Sequence, residues 1–177
     1  NSISATQPNS KLYLFTPTVA KDVFQPTQKN IEIIQPTSFK NKNYWRLKGV
    51  NKELNNLNIN IYHGLSNEIP CQLKTKSIVT IHDLLFLKYP KYYNFFDRKI
   101  YELKSKSACK RADKIIATSN QTKEDIIHYF NIDDQKIKVI YQSCHENFIR
   151  CNNNGILSNE IQNELDKPYI LYVGSIE

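Results

Sequence analysis

The stretch SIVTIHDLLFLKYPKYY, Ser77 to Tyr93, decides the fold. Ile78, Val79, Thr80 and Ile81 are all β-branched, and the run does not alternate with polar residues. That is the pattern of a strand covered on both faces. It stops abruptly against His82 and Asp83 and then enters a loop crowded with aromatic side chains. In parallel α/β sheets ligands bind beyond the carboxyl ends of the strands, where loops carry no packing duty and helix N-termini converge. A buried strand that ends on a titratable pair fits that place.

Working outward, Lys11–Phe15, Ile31–Ile34, Ile59–His63, Lys114–Thr118, Ile137–Tyr141 and Tyr169–Val173 read as further strands. Helices are expected at Trp45–Asn56, about Asp97–Ala112, Gln121–Phe130 and Asn159–Asp166. Strand and helix in alternation imply an α/β fold with a parallel sheet and right-handed crossovers. Along the second helix, Phe96, Ile100, Leu103 and Ser107 recur at helical spacing, a stripe expected to lie against the sheet. Lys99, Glu102, Lys106 and Lys110 occupy another face.

The 177 residues suit one domain of ordinary size, and 40% hydrophobic content suits a globular one. Lys and Arg number 24 against 17 Asp and Glu, a net charge of +7, which favours anionic partners. Between Lys91 and Lys114 eight basic residues face three acids, so 8 − 3 puts +5 on this segment. A solvated helix face explains that charge; contact with anionic lipid headgroups is the functional reading, at about 1 kcal/mol for each basic residue near the surface. Tyr92, Tyr93, Phe95 and Phe96 beside it raise stacking on single-stranded nucleic acid as an alternative. Packing in the core and loop explains the rings more simply, and no nucleic-acid partner is expected.

Cys71, Cys109, Cys144 and Cys151 show no CxxC spacing, and His145 between the last two does not complete a tight ligand set, so no metal is expected. No apolar run approaches the roughly 18 residues of a membrane span, and a reducing, cytoplasmic setting follows as the expectation. The sequence holds no Met and opens on Asn1, so its native start is expected upstream.

Three strand ends supply candidate site residues. His82 can exchange hydrogen bonds near neutral pH, and Asp83 can orient it or cap the next turn; a core histidine bonded to backbone is the competing reading. Ser119 opens the helix of SNQTKEDII as its N-cap, and a helix N-terminus there would attract phosphate or a polar sugar edge. His63 and Gly64 end the IYHG strand, the glycine permitting a turn or close approach to a ligand.

The runs IVTIHDLLFLKYPKYY, RADKIIATSNQTKEDII, KIKVIYQSC and PYILYVGSIE, in that order, resemble the N-terminal domain of retaining GT-B glycosyltransferases of the large group 1 family, family GT4, near its mannosyltransferase-like members. The resemblance is clearest from Ile59 onward. It implies a Rossmann-like parallel sheet with helices on both faces, the acceptor-side half of a GT-B fold, over residues 1–167, with a donor-binding domain beginning at 168–177. It places the family's first strand and glycine-containing loop before Asn1, and its donor-sugar motif of two Glu beyond Glu177.

The same resemblance implies catalytic roles for His82, which would contact the transferred sugar, and Asp83. It implies substrate binding by Ser119, Thr122 and Lys123, joining His63 and Gly64. The reaction implied is hexosyl transfer from a nucleotide sugar to a saccharide or lipid-linked acceptor, in cell-surface polysaccharide or lipopolysaccharide synthesis, with no metal and no cofactor beyond the nucleotide-sugar co-substrate. Cytoplasmic location at the inner face of the membrane, and inactivity of this half alone, follow from it. Gln142, Ser143, Cys144 and His145 depart from the Asn-Gly-Val-Asp common in relatives. A non-catalytic α/β domain that binds a small ligand or a partner is the alternative.

Overall fold

The first pair of strands, β1 (Leu12–Phe15) and β2 (Ile31–Ile34), forms a two-stranded parallel sheet. The other four described strands, β3 (Ile61–Gly64), β4 (Lys76–Ile81), β5 (Lys114–Ala117) and β6 (Ile137–Val139), form a parallel sheet in that order. This is a computed structural model that describes residues 2–18, 28–36 and 44–143. All six belong to one compact unit, Asn1–Tyr141. The strand expected at Tyr169–Val173, the helix at Asn159–Asp166, the trio Cys144, His145 and Cys151, and the boundary at 167 lie outside the described residues.

The fold is the α/β, Rossmann-like parallel arrangement expected. The Ser77 strand lies inside the larger sheet, between β3 and β5, with Val79 and Ile81 completely buried. At its amino end Asp113 fastens it to β5. The Oδ2 atom accepts from the Ser77 backbone N–H at 2.7 Å and from its hydroxyl at 3.2 Å, and these bonds hold the carboxyl below its ordinary range.

Short α1 (Ser2–Thr6) precedes β1, and a π-helical turn, Trp45–Gly49, runs into α2 (Val50–Leu57). Trp45, Val50 and Leu54 pack with Phe15, Ile59 and Tyr62 in a small core of their own. After β4 come one turn, α3 (Leu85–Lys88), and the long α4 (Phe95–Arg111), capped by the Asn94 side chain accepting from Phe96 N–H at 2.9 Å. Helix α5 (Asn120–Phe130) follows β5 and stops at Asn131, whose left-handed φ of 52° ends it as such residues commonly do. Val79, Ile81, Ile115 and Ala117 meet Ala108, Cys109, Ile126 and Phe130 in the main core.

One expectation is overturned. Phe96, Ile100, Leu103 and Ser107 do share a face of α4, but that face is exposed. The sheet side is built from Ser105, Ala108, Cys109 and Ala112, all buried. Small side chains let the helix axis approach the strands closely, and burial pushes the Cys109 thiol up to about 12. At the end of the helix the Arg111 guanidinium forks onto the carbonyls of Pro70 at 2.6 Å and Ile69 at 3.0 Å, tying α4 to the loop between β3 and β4.

Candidate functional site

Because the strands are parallel and Gly64 pairs with Val79 and Ile81 with Ala117, the residues that follow each strand gather at one edge of the sheet. His82 and Thr118 are such residues. His82 is held from several sides. Its backbone N–H donates to Asn67 Oδ1 at 3.2 Å, and its ring Nε2 donates to the Leu65 carbonyl at 2.8 Å, which can only accept, so Nε2 carries a proton. Its own carbonyl accepts from the hydroxyls of Thr118 at 2.7 Å and Thr122 at 3.1 Å.

Those hydroxyls belong to a chain of bonds with one consistent direction. Thr122 spends its proton on the His82 carbonyl, so the 2.9 Å contact between Ser119 Oγ and Thr122 Oγ1 has Ser119 as donor. Ser119 Oγ in turn accepts from Thr122 N–H at 3.0 Å, the N-cap bond of α5. The capping serine, the buried threonine and the histidine backbone therefore form one unit at the crossing from β5 into α5.

The remaining candidates fall in different places. Asp83 is exposed, and its Oδ1 accepts from Leu85 N–H at 3.1 Å, capping the turn that begins α3. His63 is half-buried, with Nε2 2.8 Å from Thr80 Oγ1 on the neighbouring strand, and burial holds its imidazole below the usual range. At Gly64 a Cβ would collide with the Glu68 carbonyl, so the close approach here is made by the chain's own loop. Lys123 pairs with Asp134 at 2.5 Å. Asp134 sits in the turn entering β6, the opposite edge of a parallel sheet from the one His82 occupies.

A cavity of about 750 Å³ opens between β1 and β3, lined by Tyr13, Phe15, Trp45, Tyr62, His63 and Gly64 among others. It takes in those two site candidates and not His82, Asp83, Ser119, Thr122 or Lys123. The hydrogen-bonded unit around His82 is the better guide to chemistry, because it fixes a titratable side chain at a strand end, whereas the cavity walls are mainly apolar.

Sequence reasoning missed Asn67, Leu65 and Thr118. Asn67 adopts a left-handed φ of 52°, donates its N–H to the Thr80 carbonyl at 3.0 Å and takes over as partner of β4 where β3 has ended. An Asn three residues after a strand signals such a turn, but not what its side chain will grip. Among the described residues no group of three or more His, Cys, Asp or Glu is placed to hold a metal ion, and no helix is long and apolar enough to cross a membrane.

The family model of Glycosyltransferase Family 4 matches residues 10–144. No curated protein matches the chain.

Proposed function

The chain belongs to Glycosyltransferase Family 4, and from that premise we propose that it is the acceptor-side domain of a retaining transferase. In this reading it moves a hexosyl unit from a nucleotide sugar to a saccharide or lipid-linked acceptor, in the cytoplasm, for a cell-surface polysaccharide or lipopolysaccharide. The observation that carries it is the anchoring of His82, whose ring and N–H are engaged by the loop after β3 and whose carbonyl is engaged by Thr118 after β5, all at the strand-end edge.

In the proposed reaction the acceptor hydroxyl attacks from the face the diphosphate leaves, and no protein nucleophile is needed. His82 takes part in a hydrogen bond with the transferred sugar, and the Leu65 carbonyl, which takes its Nε2 proton, holds the ring in position. Asp83 fixes the turn behind the histidine. Ser119 and Thr122 act as positioning residues through the His82 carbonyl, and His63 and Gly64 border the acceptor side. Lys123, which follows Thr122 on the same helix and pairs with Asp134, is the remaining substrate-binding candidate. The nucleotide sugar is a co-substrate, and the reading calls for no metal or other cofactor. Donor and acceptor are held by different domains, so this half alone is inactive.

The test is His82→Ala in the full-length protein, assayed for release of nucleoside diphosphate from a panel of nucleotide sugars. Transfer is abolished while the thermal melt stays close to that of the parent. Near-normal turnover by a folded mutant would reject the role assigned to the imidazole.

A further inference from the structure

The loop that leaves β3 is closed at its base. Gly64 ends the strand and is buried, and the Glu68 carbonyl lies where its Cβ would be, so the chain returns to its own starting point within one short loop. The crown of that loop carries two of the bonds that hold His82. The Leu65 carbonyl takes the ring Nε2 proton at 2.8 Å, and Asn67 Oδ1 takes the backbone N–H at 3.2 Å.

At the base, the Glu68 carboxylate sits between two cations from different elements. Its Oε1 is 2.9 Å from Arg46 Nε in the π-helical turn, and its Oε2 is 3.4 Å from Lys104 Nζ in the middle of α4. The Glu68 side chain is 20% exposed, so solvent screens this trio less than it screens an ion pair in open water. Burial and, after it, the Glu68 charge push the Tyr62 hydroxyl on β3 up to about 12, so the carboxylate also acts on the strand that leads into the loop. Beyond Glu68, Ile69 is buried and its carbonyl is held by Arg111.

We propose that Glu68 is a positioning residue for His82: by fastening the base of this loop to the π-helical turn and to α4, its carboxylate fixes where the Leu65 carbonyl stands and thereby how the imidazole is turned. That carbonyl belongs to the backbone, so its direction follows the loop and no side-chain rotation can restore it. A hydrogen bond weakens steeply as its angle closes, and a loosened base leaves the ring free to swing. The consequence for sugar transfer rests on the role proposed above for His82; the orientation of the ring does not.

Glu68→Gln in the full-length protein keeps the size of the side chain and removes its charge. In protein carrying isotopically labelled histidine, the His82 Nε2 proton is assigned by its absence from His82→Ala. It should give a resolved magnetic-resonance signal in the parent and broaden through exchange with water in Glu68→Gln. Release of nucleoside diphosphate from the nucleotide sugar that the parent turns over fastest should show kcat lower by about tenfold and KM within about twofold, because substrate still binds but meets a misplaced partner. Lys104→Met leaves the Arg46 pair in place and should move both readouts in the same direction, kcat by about threefold; it carries the test if Glu68→Gln does not fold. Glu102→Gln, which removes a carboxylate paired with Lys99 on the same helix, should change neither. An unaltered His82 signal in the folded Glu68→Gln protein, or equal effects from Glu102→Gln, would overturn the proposal. So would a broadened signal with full kcat in Glu68→Gln when His82→Ala is inactive. If His82→Ala still transfers sugar while Glu68→Gln broadens the signal, the orientation by Glu68 stands and the transfer reading is the one that fails.

Discussion

Thr118→Val and Thr122→Val, made singly and together, probe how far the two hydroxyls hold the His82 carbonyl. Valine keeps the shape of threonine and removes the donor. Each single change removes one donor, at 2.7 or 3.1 Å, so each should cost about 1 kcal/mol, the net worth of one hydrogen bond. In Thr122→Val the Ser119 hydroxyl also loses its acceptor, but Ser119 is half-exposed and water replaces it. The double change removes both hydroxyl donors and should cost roughly 3 kcal/mol, about 1 more than the two singles together, because two groups that share one acceptor are coupled. At about 2.1 cal/mol/K per residue over the Asn1–Tyr141 unit, 1 kcal/mol corresponds to roughly 3 °C in melting temperature, so the double mutant should melt about 10 °C lower. Circular dichroism melts of the four proteins measure the cycle, and transfer by the full-length forms should fall furthest in the double mutant. Additivity within about 0.3 kcal/mol would show that water reaches the carbonyl freely, and the account of Thr118 and Thr122 as positioning residues would fail.

Two further outcomes follow from the neighbouring strand end. Gly64→Ala sets a methyl group against the Glu68 carbonyl, which is backbone and cannot swing aside, so a loss near the upper end of the 1–3 kcal/mol typical of overpacking, about 3, should appear as a lower urea midpoint. A midpoint equal to the parent's would mean that the loop after β3 shifts without cost. Burial lowers the pKa of His63 in the folded chain beneath its unfolded value of 6.5, so the folded state binds fewer protons. Its contribution to stability is therefore complete above pH 6.5 and is lost as pH falls through the folded pKa. Melts between about pH 7.5 and 5.5 should show a decline that His63→Gln flattens; an unchanged slope in that mutant would assign the decline to other groups.

The strands were legible because a buried parallel strand must be apolar on both faces, and few other segments of this length are. Their ends were less so. The strand expected from Ile59 starts at Ile61, since the Ile59 carbonyl takes the Thr75 hydroxyl at 2.5 Å instead of joining the ladder. His82 was visible as a titratable residue at a strand end and Ser119 as a helix cap, both local signals. That they are joined through Thr122, and that Asn67 and Leu65 grip the histidine from a loop 15 and 17 residues earlier, has no period and no motif. The pairing of Lys123 with Asp134, from the early turns of the helix to the turn entering β6, is likewise announced by no local pattern.

The inversion of α4 carries the broader lesson about reading faces. Periodicity reports which residues share a side of a helix, not which side turns inward. The assumption that the bulkier line is the buried one fails when the helix must lie close over a sheet, since there the small line, Ser105, Ala108, Cys109 and Ala112, fits and the large one does not. Small residues inside can be bought with a tight approach; large ones outside have no such compensation in water. The exposure of Phe96, Ile100 and Leu103 follows from that geometry, because the side of the helix that lies over the strands is already taken by the small line. The residues that sequence reading assigned to the core are the ones that the helix turns to solvent.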